Sequence, residues 1–86
     1  MPNARTEWSM AHGEVERIMA RPYNRETARN GDSTWFARVT ELPGCMTEGE
    51  TEAEVLSSLD EAMRGWIAVQ LEDREAIPEP AAWASP

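Results

Sequence analysis

Along the first quarter of the chain the apolar residues Trp8, Ala11, Val15, Ile18 and Met19 recur at intervals of three and four, one face of a helix. The spacing predicts a helix over 7–20, with Thr6 or Ser9 as its cap, Gly13 as a weak point and Pro22 as its stop. The period then changes to two. Residues 23–29 are polar and alternating, with Tyr23, Arg25 and Thr27 on one side, and read as a partly exposed strand. Asn30-Gly31-Asp32-Ser33 is a turn signal. In the strand expected over 35–42, Trp35, Ala37 and Val39 share one face, and Phe36, Arg38, Thr40 and Leu42 share the other. Pro43-Gly44 suits the centre of a type II turn, because proline fixes φ and glycine accepts φ > 0. A short third strand is expected over 45–48, ending at Gly49.

Thr51-Glu52-Ala53-Glu54 has capping-box spacing and opens a helix expected to reach about Asp73. Its apolar stripe is wide: Val55, Leu56, Leu59, Ala62, Met63, Trp66, Ile67 and Val69. Arg64 is placed to pair with Asp60 one turn back. Such a helix is roughly 34 Å long and an eight-residue strand roughly 26 Å, so the helix is expected to overhang the sheet. Trp66, Ile67 and Leu71, near its far end, then need cover from the tail or from another subunit. They are the candidates for a homo-oligomer interface, dimer or tetramer. The tail over 77–86 carries three prolines, with Ile77 and Trp83 as its anchors. The fold class is therefore α+β: an N-terminal helix (7–20) and a core βββα module (21–76), followed by the proline-rich tail. The sheet is antiparallel with three or four strands, and one long helix packs on a face. All of this forms a single domain over 1–86 with no DNA-binding domain.

Charge narrows the function classes. Residues 1–43 hold six Arg and six acids, and residues 44–86 hold two Arg and ten acids, so the whole net charge of −8 falls in the second half. Phosphate binding needs a basic face, so direct nucleic-acid binding is disfavoured and a basic protein partner is favoured. No apolar run is long enough to span a membrane, no signal-peptide core is visible, and a lone cysteine points to a reducing cytoplasm. An enzyme is disfavoured on residue content. His12 sits off the apolar strip of its helix and reads as solvated, and Cys45 reads as a packed thiol with no partner. The acids show no metal-ligand spacing, and Glu52 and Glu54 are explained by the helix dipole. Trp8, Trp35 and Trp66 read as core, and no glycine-rich phosphate loop is present. No metal or cofactor is expected.

The run Trp35-Phe36-Ala37-Arg38-Val39-Thr40-Glu41-Leu42-Pro43-Gly44-Cys45-Met46-Thr47-Glu48-Gly49-Glu50-Thr51 resembles the HicB antitoxin family. So do Glu52-Ala53-Glu54-Val55 at the helix start, Glu61-Ala62 and Trp66 within it, and Ile77-Pro78-Glu79-Pro80 after it. The motif positions are Glu41, Leu42, Pro43, Gly44, Cys45, Gly49 and Thr51, with turn and cap roles. The resemblance implies a partial RNase H-like fold without a nuclease site. It also implies an antitoxin that covers a small basic HicA-like mRNA-cleaving toxin. Family antitoxins often continue into an operator-binding domain, and none is visible in these 86 residues. Asp32, Glu41, Glu48 and Glu50 are the expected toxin contacts, each weighed against a plain solvated surface acid. The competing reading is an orphan HicB-like module that oligomerises without a toxin. A residual hydrolase using Asp32 or Asp60 is the least favoured.

Overall fold

A computed structural model describes residues 13–84. Its elements are α1 (13–19), β1 (Arg25–Arg29), β2 (Trp35–Val39), β3 (Met46–Gly49), α2 (Glu52–Glu72) and a 3-10 turn over Ala81–Trp83. The expected helix positions 7–12, with Trp8, Ala11 and His12, lie outside the described residues, as do the capping candidates Thr6 and Ser9. The strands form an antiparallel sheet in the order β1-β2-β3. Thr27, Ala37 and Thr47 stand in one cross-strand row. The fold is thus α+β, with the long helix packed on one face of the sheet.

Period-two patterning decides which face is covered. Ala37 and Val39 are buried and Trp35 packs against the core, so the predicted inner face is the one α2 covers. From α2, Val55, Leu59, Met63 and Ile67 enter the core at steps of four, all fully buried. Burying a side chain of this size stabilises by about 1.5–3 kcal/mol, so this one stripe contributes much of what holds the layers together. Val15 and Ile18 of α1 join the same cluster. On the outer face Glu26 stands opposite Arg38, whose Nε and Nη2 both lie 2.8 Å from Glu26 Oε2. Both side chains are half exposed, so the pair contributes little beyond register.

Both ends of α2 are closed by local chemistry. The Thr51 hydroxyl accepts from the Glu54 N–H at 3.1 Å, the predicted cap, while the Glu54 carboxylate reaches back to the Glu50 N–H at 3.4 Å. At the other end the Arg74 N–H bonds to Leu71 O and the Glu75 N–H to Gln70 O, a Schellman closure that places Arg74 at φ +56°.

Four expectations change. β1 starts at Arg25, two residues late, and Tyr23 is buried ahead of it. β2 ends at Val39 because the Leu42 N–H turns back to Val39 O; Leu42 is therefore buried through the turn and does not sit on the outer face of a strand. Arg64 pairs with Glu16 of α1 at 2.7 Å instead of Asp60, and Asp60 faces Arg25 of β1 at 3.5 Å. Ile67 is fully buried within the chain, with Leu71 and Ile77 packed on the same cluster, so it is not available to an oligomer interface. The segment that covers this end, 75–80, forms no strand, and the described sheet has three. No helix among the described residues is long and apolar enough to cross a membrane.

The hairpin tip carries a misfit. Asn30 and Thr34 close the loop through Asn30 N–H to Thr34 O at 2.7 Å, and Ser33 takes the left-handed position at φ +72°. A side chain there costs about 1–2 kcal/mol, part of which a glycine returns to unfolded-chain entropy. Ser33→Gly is expected to raise stability by about 0.5–1 kcal/mol in urea unfolding at unchanged m-value.

Candidate functional site

The motif residues converge on the loop between β2 and β3 and on the groove beside it. Leu42, Pro43, Gly44 and Cys45 form the predicted type II turn: Gly44 sits at φ +81° and the Cys45 N–H bonds to Leu42 O at 3.1 Å. Leu42 and Cys45 are buried, so the turn is pinned to the core at both ends. Its outward carbonyl is held from α2, where the Trp66 indole N–H donates to Pro43 O at 2.9 Å. Trp66 is half-buried, and its polar edge is engaged within the chain. Burial pushes the Cys45 thiol up, only partly opposed by Arg25, which keeps it protonated and a poor nucleophile.

Gly49 answers a different constraint. A Cβ there would lie 3.0 Å from Val55 Cγ1 and 3.2 Å from Glu54 Cδ. Val55 is fully buried and cannot retreat. The glycine lets the end of β3 approach the first turn of α2.

Glu41 is a structural hub. Its carboxylate accepts from the Asn24 N–H at 3.0 Å, the Thr40 hydroxyl at 2.8 Å and the Ala81 N–H at 2.8 Å. It therefore joins the start of β1, the end of β2 and the tail. Partial burial pushes its pKa up, but the bonds from Ala81, Thr40 and Asn24 outweigh that and hold it below the usual 4.5. Two further contacts secure the same tail: the Tyr23 hydroxyl donates to Pro78 O, and the Arg21 guanidinium lies 5.1 Å from the centre of the Trp83 ring. Pro80 is buried between these contacts in sequence.

The four acids expected to meet a partner are not one cluster. Asp32 accepts from the Thr34 hydroxyl at 2.6 Å and the Thr34 N–H at 3.1 Å, which lowers its pKa and gives it a turn-forming role. Glu48 and Glu50 are exposed and lie toward the hairpin end of the sheet, where Trp35 stands opposite Gly49. Glu41 lies at the other end, beyond Val39. The sequence marks no such role for Asn24, Tyr23 or Arg21, because their partners Glu41, Pro78 and Trp83 lie 17 or more residues away and no local spacing points to them.

Beside the turn lies a groove of about 320 Å³, lined by Gly44, Cys45 and Met46 on one side and by Ala62, Gly65, Trp66, Val69 and Gln70 of α2 on the other. Met46 and Val69 are 56% and 52% exposed, so the groove presents apolar surface to solvent. Among the described residues no group of three or more His, Cys, Asp or Glu side chains is arranged to hold a metal ion.

Gly49→Ala is expected to destabilise by about 1–3 kcal/mol through overpacking against Val55, read as a lower urea midpoint. Glu41 gives a pH signature. Its folded pKa is depressed, so its contribution is complete above 4.5 and is lost as pH falls through the folded value. Below that pH the Ala81 amide should lose protection relative to the unstructured rate at the same pH in the wild type. Glu41→Ala should already show that loss of protection at pH 7, with a stability loss of about 1 kcal/mol.

Comparison with known proteins agrees with this layout. The chain is 36% identical over 50 residues to UPF0150 protein Ta0767 of Thermoplasma acidophilum, covering 58% of this chain and 72% of that protein. No solved structure matches it. The UPF0150-like family profile matches residues 26–78, from β1 through the β2–β3 turn and α2 to the first anchored residue of the tail, and the chain belongs to that family.

Proposed function

We propose that this protein is a HicB-like antitoxin: a protein-binding module that neutralises a small basic RNA-cleaving toxin of the HicA type by covering it. The observation that carries the reading is the turn motif Glu41-Leu42-Pro43-Gly44-Cys45 with Gly49 and Thr51, which resembles HicB and lies within the UPF0150-like match. Charge supports it. Ion pairs among the described residues engage the acids Glu16, Glu26 and Asp60, which leaves Glu48, Glu50 and most acids of the second half facing solvent outside any ion pair. Such a surface steers a basic partner and raises its association rate by about 10- to 1,000-fold. The action is occlusion and requires no catalysis, cofactor or metal from this chain. The cytoplasm suits the protein, because its single buried thiol needs no oxidising compartment.

An orphan oligomerising module is the other reading. The overhanging helix that favoured it is covered within the chain at Ile67, which leaves Trp66 and Leu71 half-buried as its remaining support.

The test is co-expression with the small basic protein of the adjacent reading frame. Growth arrest by that protein alone, relieved by this chain, is the expected result. In vitro, the association rate should fall by about tenfold or more as salt is raised from 0.05 to 0.5 M. An adjacent frame encoding no small basic protein, or arrest that co-expression leaves untouched, would overturn the reading.

A further inference from the structure

We infer that the open edge of β3 and the groove beside it form a strand-addition site for an extended, basic segment of the partner protein, with apolar side chains alternating between its basic ones. This deepens, and rests on, the antitoxin reading above. Three observations on this face support it.

The first is the hydrogen-bond phase of the sheet. The Val39 N–H bonds to Cys45 O, so Cys45, Thr47 and Gly49 turn their backbone groups toward β2. Alternate residues point the other way. The N–H and C=O of Met46 and Glu48 therefore face outward along an edge that pairs with no described strand. Exposed edges of this kind accept an added strand, and the backbone bonds are independent of the incoming sequence.

The second is the groove at the turn end of this edge, which Met46 of β3 lines together with Gly44 and Cys45. Small residues open it: Ala62 and Gly65 leave the flank of α2 bare, and nothing lies within 4 Å of where a Gly65 Cβ would sit. Trp66 and Val69 provide the apolar wall. A strand laid along β3 and continued past Met46 would direct its inward side chains at that end into this space, which selects apolar residues there.

The third is charge. The remaining side chains of the added strand would face the side on which Met46 and Glu48 stand. Glu48 is exposed there and has no ion pair. The cation in register with Met46 is Arg38, and it is committed to Glu26. Glu48 therefore favours Arg or Lys at the outward position beside it. At the opposite edge, β1 carries Arg25 and Arg29, and Arg25 is held by Asp60.

The experiment uses the full chain, labelled with nitrogen-15, and two ten-residue peptides, one alternating arginine with valine and one alternating glutamate with valine. The arginine–valine peptide is expected to shift the Met46 and Glu48 amides and to slow their exchange, and the glutamate–valine peptide to bind at least tenfold more weakly. Gly65→Leu fills the groove at a position where leucine also favours helix, so it should weaken peptide binding at least tenfold with no fall in Tm. Shifts centred elsewhere, equal binding of both peptides, or undiminished binding by Gly65→Leu would overturn the assignment. Concentration-dependent protection of Met46 and Glu48 without peptide would give the site to a second copy and overturn the partner assignment too. The toxin assay separates this inference from the reading it rests on. Neutralisation that survives in Gly65→Leu removes the docking site and leaves the antitoxin function intact. Neutralisation absent in the wild type removes the function, while the peptide result still decides the site.

Discussion

Between Val39 and Met46 the chain must reverse direction and still deliver two side chains, Leu42 and Cys45, into the core. Proline at 43 and glycine at 44, with φ +81°, make the reversal tight enough, and the buried flanks make it rigid. The Trp66 indole then ties the outward carbonyl of Pro43 to α2. The rest of the architecture follows from this fixed corner. It sets the register of β3 against β2, places β3 beside α2 and leaves the groove between them. Gly49 completes the placement by allowing the far end of β3 within contact distance of Val55.

Small size is the second constraint. A chain of 86 residues buries a limited fraction of its surface, and a helix of 21 residues is longer than the strands beneath it. The tail resolves this by lying against the same core. It is held by a carboxylate, a phenol and a cation–ring contact, not by a fourth strand. Glu41 therefore serves two purposes, as part of the turn motif and as the acceptor that fixes the tail. Its depressed pKa is the electrostatic trace of those bonds.

Much of this was legible in the sequence wherever a local rule applied. Alternation named the inner face Trp35, Ala37 and Val39; Pro43-Gly44 named the turn; Thr51 and Glu54 named the helix start. Interactions between distant segments were not legible. Arg64 had Asp60 one turn away and pairs with Glu16, because α1 brings a carboxylate closer than the helix's own turn does. Leu42 fits the outer phase of a longer strand and is buried because the strand ends first. Asp32 and Glu41 read as free acids, yet their hydrogen bonds lie within the chain, to Thr34 for one and to Asn24 and Ala81 for the other. Glu48 and Glu50 keep the exposure that composition suggested.

The functional consequence is an asymmetry between the two sheet edges. One carries Arg25 and Arg29; the other carries Glu48, an apolar groove and outward backbone groups. Amide hydrogen exchange of the free chain in dilute solution tests this most directly. Alternation along β3 is the predicted result, with Thr47 and Gly49 protected by β2 and Met46 and Glu48 exchanging at near-unprotected rates. Uniform protection across the four residues would contradict an open edge, and uniform lack of protection would contradict a β3 locked in place by the turn.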